Sequence, residues 1–193
     1  MTTDLDEFAQ QIADQVESFL VALQAIADED DPGRAVSLLL LEVSQVLLAG
    51  ARLGVQTDFT PAEEFQPDAG PDPDLDGLRL RLAKMFDGVD AFSEVFDPYA
   101  EPEVETSVIS DDLTSVAAAL AHGLRHFRAG RVDEALWWWQ FSYVANWGSE
   151  ASGVLRALQS IVTHDRLDAV FSGEEEQVAA ADEMLDGAAP TLN

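Results

Sequence analysis

Residues 110–148 read SDDLTSVAAALAHGLRHFRAGRVDEALWWWQFSYVANWG, and the spacing of their apolar side chains decides the fold class. Leu113, Val116, Ala117, Leu120, Leu124 and Phe127 recur at three- and four-residue steps, which lays one stripe along an α-helix. Ser110-Asp111-Asp112 supplies capping oxygens ahead of it, and Gly130 stands where a helix ends in a left-handed residue. A second helix opens at about Val132 and is expected to reach Trp147, with Gly148-Ser149 as a break before another helix from Glu150 to about His164. Helices joined by so short a turn lie antiparallel, so the fold class is all-α, and extending the count over the chain predicts a compact bundle of about six helices.

Toward the N-terminus, Phe8, Ile12, Val16, Phe19, Leu20, Leu23 and Ile26 form the same kind of stripe on a first helix, which Asp28-Glu29-Asp30-Asp31 ends. Asp31 followed by Pro32 reads as an N-cap with proline in the first helical position, opening a second helix to about Leu53. Its Leu38–Leu41 run is apolar on every side, which predicts a place in the middle of the bundle. Prolines 61, 67, 71 and 73 and Gly70 make 54–73 a long connection, with one capping-box turn at Thr60-Pro61-Ala62-Glu63. A third helix is expected over Asp74 to Phe86, followed by an irregular stretch in which Phe92, Phe96 and Tyr99 pin a loop onto the bundle. Residues 1–172 therefore read as one helical domain, and 173–193 as an acidic tail that is disordered by default.

Ten Lys+Arg against 37 Asp+Glu give a net charge of -27, and a chain so charged repels phosphate backbones and anionic headgroups. Nucleic acid and membrane surfaces are thereby excluded as expected partners. The absence of cysteine removes disulfide, thiolate and Cys-zinc chemistry. Acidic rather than basic residues near the start give no secretory signal, so a cytoplasmic location is expected. The most apolar stretch, Ala35 to Val55, is long enough to span a bilayer, but its Glu42, Gln45 and Arg52 favour a buried soluble helix.

All four tryptophans of the chain fall in one segment, as Trp137, Trp138, Trp139 and Trp147. At about 100° per residue, three consecutive indoles cover about 200° of arc, more than a single core face can hide. Trp139, Tyr143 and Trp147 share one stripe with Asn146, Trp137 shares another with Phe141 and Val144, and Trp138 lies between, as the expected outlier. These aromatics, with Asn146, form a candidate interaction patch for a protein partner. His122 and His126, four apart and accompanied by Arg125, form a second candidate site for a ligand or anion; no third ligand has recognisable spacing, so no metal and no cofactor are expected. The apolar stripe of their helix directs both histidines away from the core.

Asp72-Pro73-Asp74-Leu75-Asp76-Gly77 matches the first half of a calcium loop, but Ala83 stands where the closing glutamate should be, so an acidic turn ahead of helix three is expected instead. No P-loop, nucleophile elbow or H-E-x-x-H occurs, and nothing argues for general acid/base catalysis.

Gly123, Ala135, Trp139 and Ser142, with Phe127-Arg128-Ala129-Gly130 as the turn, resemble one tetratricopeptide-type hairpin, a register that would turn His122 and His126 inward. No second copy follows at a 34-residue period. Phe19-Leu20-Val21, Leu40-Leu41-Glu42-Val43-Ser44-Gln45, Ser93-Glu94-Val95-Phe96-Asp97-Pro98-Tyr99, Ile109-Ser110-Asp111-Asp112-Leu113 and the run from Ala135 through Asn146-Trp147-Gly148 resemble the domain-of-unknown-function family numbered 5063. The resemblance spans roughly residues 8 to 168 and implies an all-helical bacterial cytoplasmic domain with no activity assigned. The expected function is a non-catalytic protein–protein interaction module using the aromatic helix. The alternative is a small-ligand or metal-binding protein, enzymatic or not, that uses the cleft between helices four and five.

Overall fold

The computed structural model describes residues 2–62, 69–71, 73–95, 99, 101 and 103–187, with side chains from residue 4 to residue 167. Helix α1 runs Thr2–Ile26 and α2 runs Pro32–Gly54. Asp31 is the N-cap of α2, its carboxylate accepting from Gly33 N at 3.0 Å and Arg34 N at 3.2 Å, with Pro32 in the position that needs no amide. Helix α3 is Asp76–Met85, opened by the Asp74 carboxylate accepting from Asp76 N at 3.2 Å. Strands β1 (Ala91–Glu94) and β2 (Glu105–Val108) pair antiparallel, Ala91 opposite Val108, and lead directly into α4 (Ile109–Arg128). Gly130, at φ 76, makes the left-handed turn into α5 (Val132–Ser142).

A π-helical turn, Tyr143–Trp147, then passes without interruption into α6, Gly148–Gly187. The six α-helical spans are therefore five separate rods among the described residues, a correction to the expected six-helix count. What the sequence marks as a break at Gly148-Ser149 is a change of pitch. One wider turn shifts the register of the following helix by about one residue, roughly 100°, and Ala151, Val154 and Leu158 face the core. Helix also continues through positions 173–187, where the sequence shows only an acidic run of weak pattern; 188–193 lie outside the described residues.

The core is built where α2, α4 and α6 converge with α1, and its largest buried side chains include Trp139, Trp147, Phe19 and Phe86. Helix α2 is long and apolar enough to cross a membrane by length and composition, but here Ala35, Leu39, Val43, Val46, Ala49 and Leu53 turn inward. It is not apolar-buried on every side as expected: Leu41 and Leu48 are exposed, because only one face meets α1 and α6.

Two expectations for 89–108 are corrected. The stretch is a β-hairpin, and while Phe92 packs against the core, Tyr99 is 97% exposed; Phe96 lies outside the described residues. The cap of α4 also comes from elsewhere. Asp90, just before β1, accepts from Ser110 N at 2.9 Å and from Ser110 Oγ at 2.7 Å, so a residue twenty positions upstream does the work expected of Ser110 itself. The expected capping box at Thr60 cannot be placed, since Glu63 lies outside the described residues, as does Asp72 of the acidic turn.

Candidate functional site

Helix α5 divides its aromatic residues between two directions. Trp139 is fully buried and its indole N–H donates to Leu120 O at 3.0 Å. It fits because α4 offers Gly123, where a Cβ would clash with the indole Nε1, Cδ1 and Cε2 atoms. Trp147 is also buried, with half-buried Tyr143 against it at 4.8 Å between ring centroids, and both rest on Gly50 of α2. On the other side, Trp137 stacks nearly parallel on Phe141, centroids 5.2 Å and 5° apart. Phe141 is 52% exposed and Val144 75%, so the stripe Trp137-Phe141-Val144 faces outward.

Trp138 is not the outlier. It is half-buried, donates from its indole to Ala119 O at 2.8 Å, and packs on the His122 ring at 4.2 Å between centroids. The interaction-patch candidates are thus split: Trp139 and Trp147 belong to the interior, Trp137, Trp138 and Tyr143 are half-buried, and Asn146 is exposed.

The histidines face inward, as the hairpin register requires and against the stripe reading. His126 is fully buried, and its Nε2 stands 3.3 Å from the Nε2 of half-buried His122. Burial, then the neighbouring His122 and Arg131, lower the His126 pKa, while Glu134 works the other way. Arg125 does not join them. Its guanidinium donates to the carbonyls of Gly70 and Pro71, and it lines a groove of about 430 Å³ with Glu17, Leu20, Leu124 and Arg128. His122, Arg125, His126 and Asn146 therefore do not converge on one cleft. Among the described residues no group of three or more His, Asp or Glu side chains is arranged to hold a metal ion.

Two polar residues escaped the sequence reading, and a third, Asp112, has a setting that its expected capping role does not suggest. Gln140, buried beneath α5, donates to Leu53 O at 3.0 Å and accepts from Phe59 N at 2.8 Å; Glu134, also buried, accepts from Ala62 N at 3.1 Å. Together they fasten the connection after α2 to α5. Their sequence signal was a polar side chain on the inward stripe of an otherwise apolar helix, which is costly unless a partner arrives from outside that helix.

The third is Asp112, in the first turns of α4. Burial first, then Glu150, Glu94, Asp111 and Asp90, push its pKa up to about 7. Glu94 reaches it from β1, its carboxylate lying over Gly153 of α6. Because the folded value lies above the ordinary 3.8, the stability linked to this group is full below the unfolded value and is lost as pH rises through about 7. Asp112→Asn, which keeps the shape and removes the charge, is expected to raise Tm at pH 8, with the gain shrinking as the pH is lowered to 5. Discounted for its solvent exposure, the gain is about 1 kcal/mol, or about 2–4 °C in a chain of this size. Melting curves of both proteins at the two pH values check it, and a gain independent of pH would mean that the charge is not the cause.

Fold and site together define a small helical protein with a β-hairpin insert and a divided aromatic helix. The chain belongs to the family described as domain of unknown function DUF5063, whose model matches residues 3–164. Among solved structures it is similar to protein BF1032 from Bacteroides fragilis, with a TM-score of 0.66 and 17% identity over 81% of this chain and 92% of that one. At that identity the likeness concerns the fold alone. No curated protein matches the sequence.

Proposed function

We propose that the protein is a non-catalytic interaction module whose docking surface is the outward stripe Trp137, Phe141 and Val144, carried on an α4–α5 pair packed like a single tetratricopeptide-type hairpin. The observation that carries this reading is the Trp137–Phe141 stack, in which half-buried Trp137 lies parallel to Phe141, itself 52% exposed. Stacked aromatics bury large area for little rotamer entropy, which is the profile of an interface anchor. Exposed Asp133 continues the stripe one turn earlier, and the chain as a whole carries a net charge of -27, so the complementary partner is a protein with apolar side chains ringed by basic ones.

The test is affinity purification at low and high salt with Trp137→Ser/Phe141→Ser, using Leu48→Ser on exposed α2 as the control. The double variant is expected to keep its fold, with Tm changed by less than about 4 °C, and to lose a basic partner that wild type and control retain. Retention of the same partner by all three proteins overturns the docking surface. The second reading, a ligand- or metal-binding protein using the space between α4 and α5, is favoured by one observation, the facing imidazole nitrogens of His122 and His126.

A further inference from the structure

We propose that the outer face of α2 is a self-association surface, on which two copies of this chain pack antiparallel, α2 against α2, about a two-fold axis. Ser37, Leu41, Ser44, Leu48, Ala51 and Val55 recur at alternating steps of four and three residues, and all six are exposed. That is the heptad spacing of a coiled-coil seam, and it lies on the opposite side of the helix from Leu39, Val43 and Val46, which enter the core. Leu41, Leu48 and Val55 are 52%, 59% and 80% exposed. None of the six is charged, although 24% of the chain's residues are, whereas a helix face that meets only water is expected to carry charged side chains.

The order of sizes along the seam identifies the occupant. Large Leu41, Leu48 and Val55 alternate with small Ser37, Ser44 and Ala51. Laid antiparallel on its own copy, the seam sets Leu41 opposite Ala51, Leu48 opposite Ser44 and Val55 opposite Ser37 in a single register, and the two-fold axis repeats each pair. Every large side chain then meets a small one, so the helix axes can approach to the short end of the usual range of about 8–10 Å. A parallel pair would set leucine on leucine and serine on serine, and would bring together two acidic starts, each with Glu29, Asp30 and Asp31. The antiparallel register separates those starts. It also directs exposed Asp58, just past the end of one α2, toward Arg34 of the second copy, which within its own chain pairs loosely with Glu29 at 3.6 Å. The contact is wider than one helix, because an open groove of about 640 Å³ between α2 and α6 begins at Ser44 and is lined by Leu40 and Leu155, which brings the second copy against α6 as well. Anionic lipid is a poor occupant, since the chain's charge of -27 repels it.

The chain has no cysteine, so introduced thiols report the register directly. Ser37 and Val55 are eighteen positions apart, about 27 Å along one helix, too far for a disulfide within one copy or between the same position of two copies. Full-length Ser37→Cys/Val55→Cys is expected to oxidise to a covalent dimer at micromolar concentration, and each single-cysteine protein to cross-link at least tenfold less. Wild type is expected to sediment as a dimer, more completely as salt screens the mutual repulsion. Leu41→Asp/Leu48→Asp is expected to raise the dissociation constant at least a hundredfold with its Tm kept. Should that variant not fold, Leu48→Ser serves in its place, with a rise of at least tenfold. A wild type that stays monomeric at every salt and protein concentration, single cysteines that cross-link as fast as the pair, or a dimer that survives the folded variant would each overturn the surface. Trp137 and Phe141 lie on α5 and take no part in it, so failure here leaves the outward Trp137-Phe141 surface untouched.

Discussion

Gly123→Ala is expected to destabilise the protein by about 1–3 kcal/mol net, lowering Tm by about 2–12 °C, although alanine is the better helix former. Two effects compete at this position. Alanine in a helix interior gains about 1 kcal/mol over glycine, and that gain is available because Gly123 lies well inside α4. Against it, the added Cβ would overlap the Nε1, Cδ1 and Cε2 atoms of Trp139, which is fully buried and has no space into which to withdraw. Overpacking costs about 1–3 kcal/mol and sometimes more, and a displaced indole also gives up its bond to Leu120 O, worth about 1 kcal/mol. The steric term wins. Gly33→Ala is the control, since its Cβ would meet only an Asp31 carboxylate oxygen at 3.5 Å, and no loss is expected there. Urea unfolding of the two variants decides the matter, and a Gly123→Ala protein as stable as wild type would mean that Trp139 does not lie against α4.

Trp147→Ala carries the second large effect, about 3–5 kcal/mol, or roughly 6–20 °C in Tm. Trp147 is among the largest fully buried side chains, and it fills the space between the π turn and α2, where a Cβ on Gly50 would collide with it and with Tyr143. Truncation leaves a cavity between two helices already fixed by their other contacts, so little of the space can collapse. The two buried tryptophans differ in a way that phenylalanine variants can separate. The Trp147 indole N–H has no hydrogen-bond partner among the described residues, whereas that of Trp139 donates to Leu120 O. Trp147→Phe removes an unsatisfied donor along with part of a ring and should cost less than Trp139→Phe, which breaks a bond that was made. Thermal melts of the pair would show this ordering, and the reverse ordering would indicate that Trp147 Nε1 is satisfied in solution.

Much of the bundle could be read before any coordinates. The Asp31-Pro32 start of α2, the Gly130 turn and the inward stripe of α4 all rest on interactions within about four residues, which sequence spacing reports directly. The β-hairpin could not be read this way. Its strands have four residues each, and their pairing depends on a return of the chain that no local pattern encodes. The same is true of the α4 cap, where Asp90 arrives through that hairpin. The orientation of His122 and His126 was ambiguous for a different reason. They lie off the stripe that meets α1, and a second face of α4 is buried only because α5 folds back over it. Angular counting puts more aromatic rings on α5 than one core face holds but does not say which are half-buried, since that depends on where α4 lies and on the Ala119 carbonyl that receives Trp138.

By itself, then, the sequence determined that this chain is helical, where α2 begins and where α4 ends, and that it is strongly acidic, because helix periodicity, caps and charge are properties of neighbouring residues. Only the tertiary structure decided which tryptophans are interior, that α5 and α6 form one rod through a π turn, and that two imidazole nitrogens meet at 3.3 Å. Those outcomes depend on which second helix covers each face, and that contact is set by packing between segments far apart in the chain.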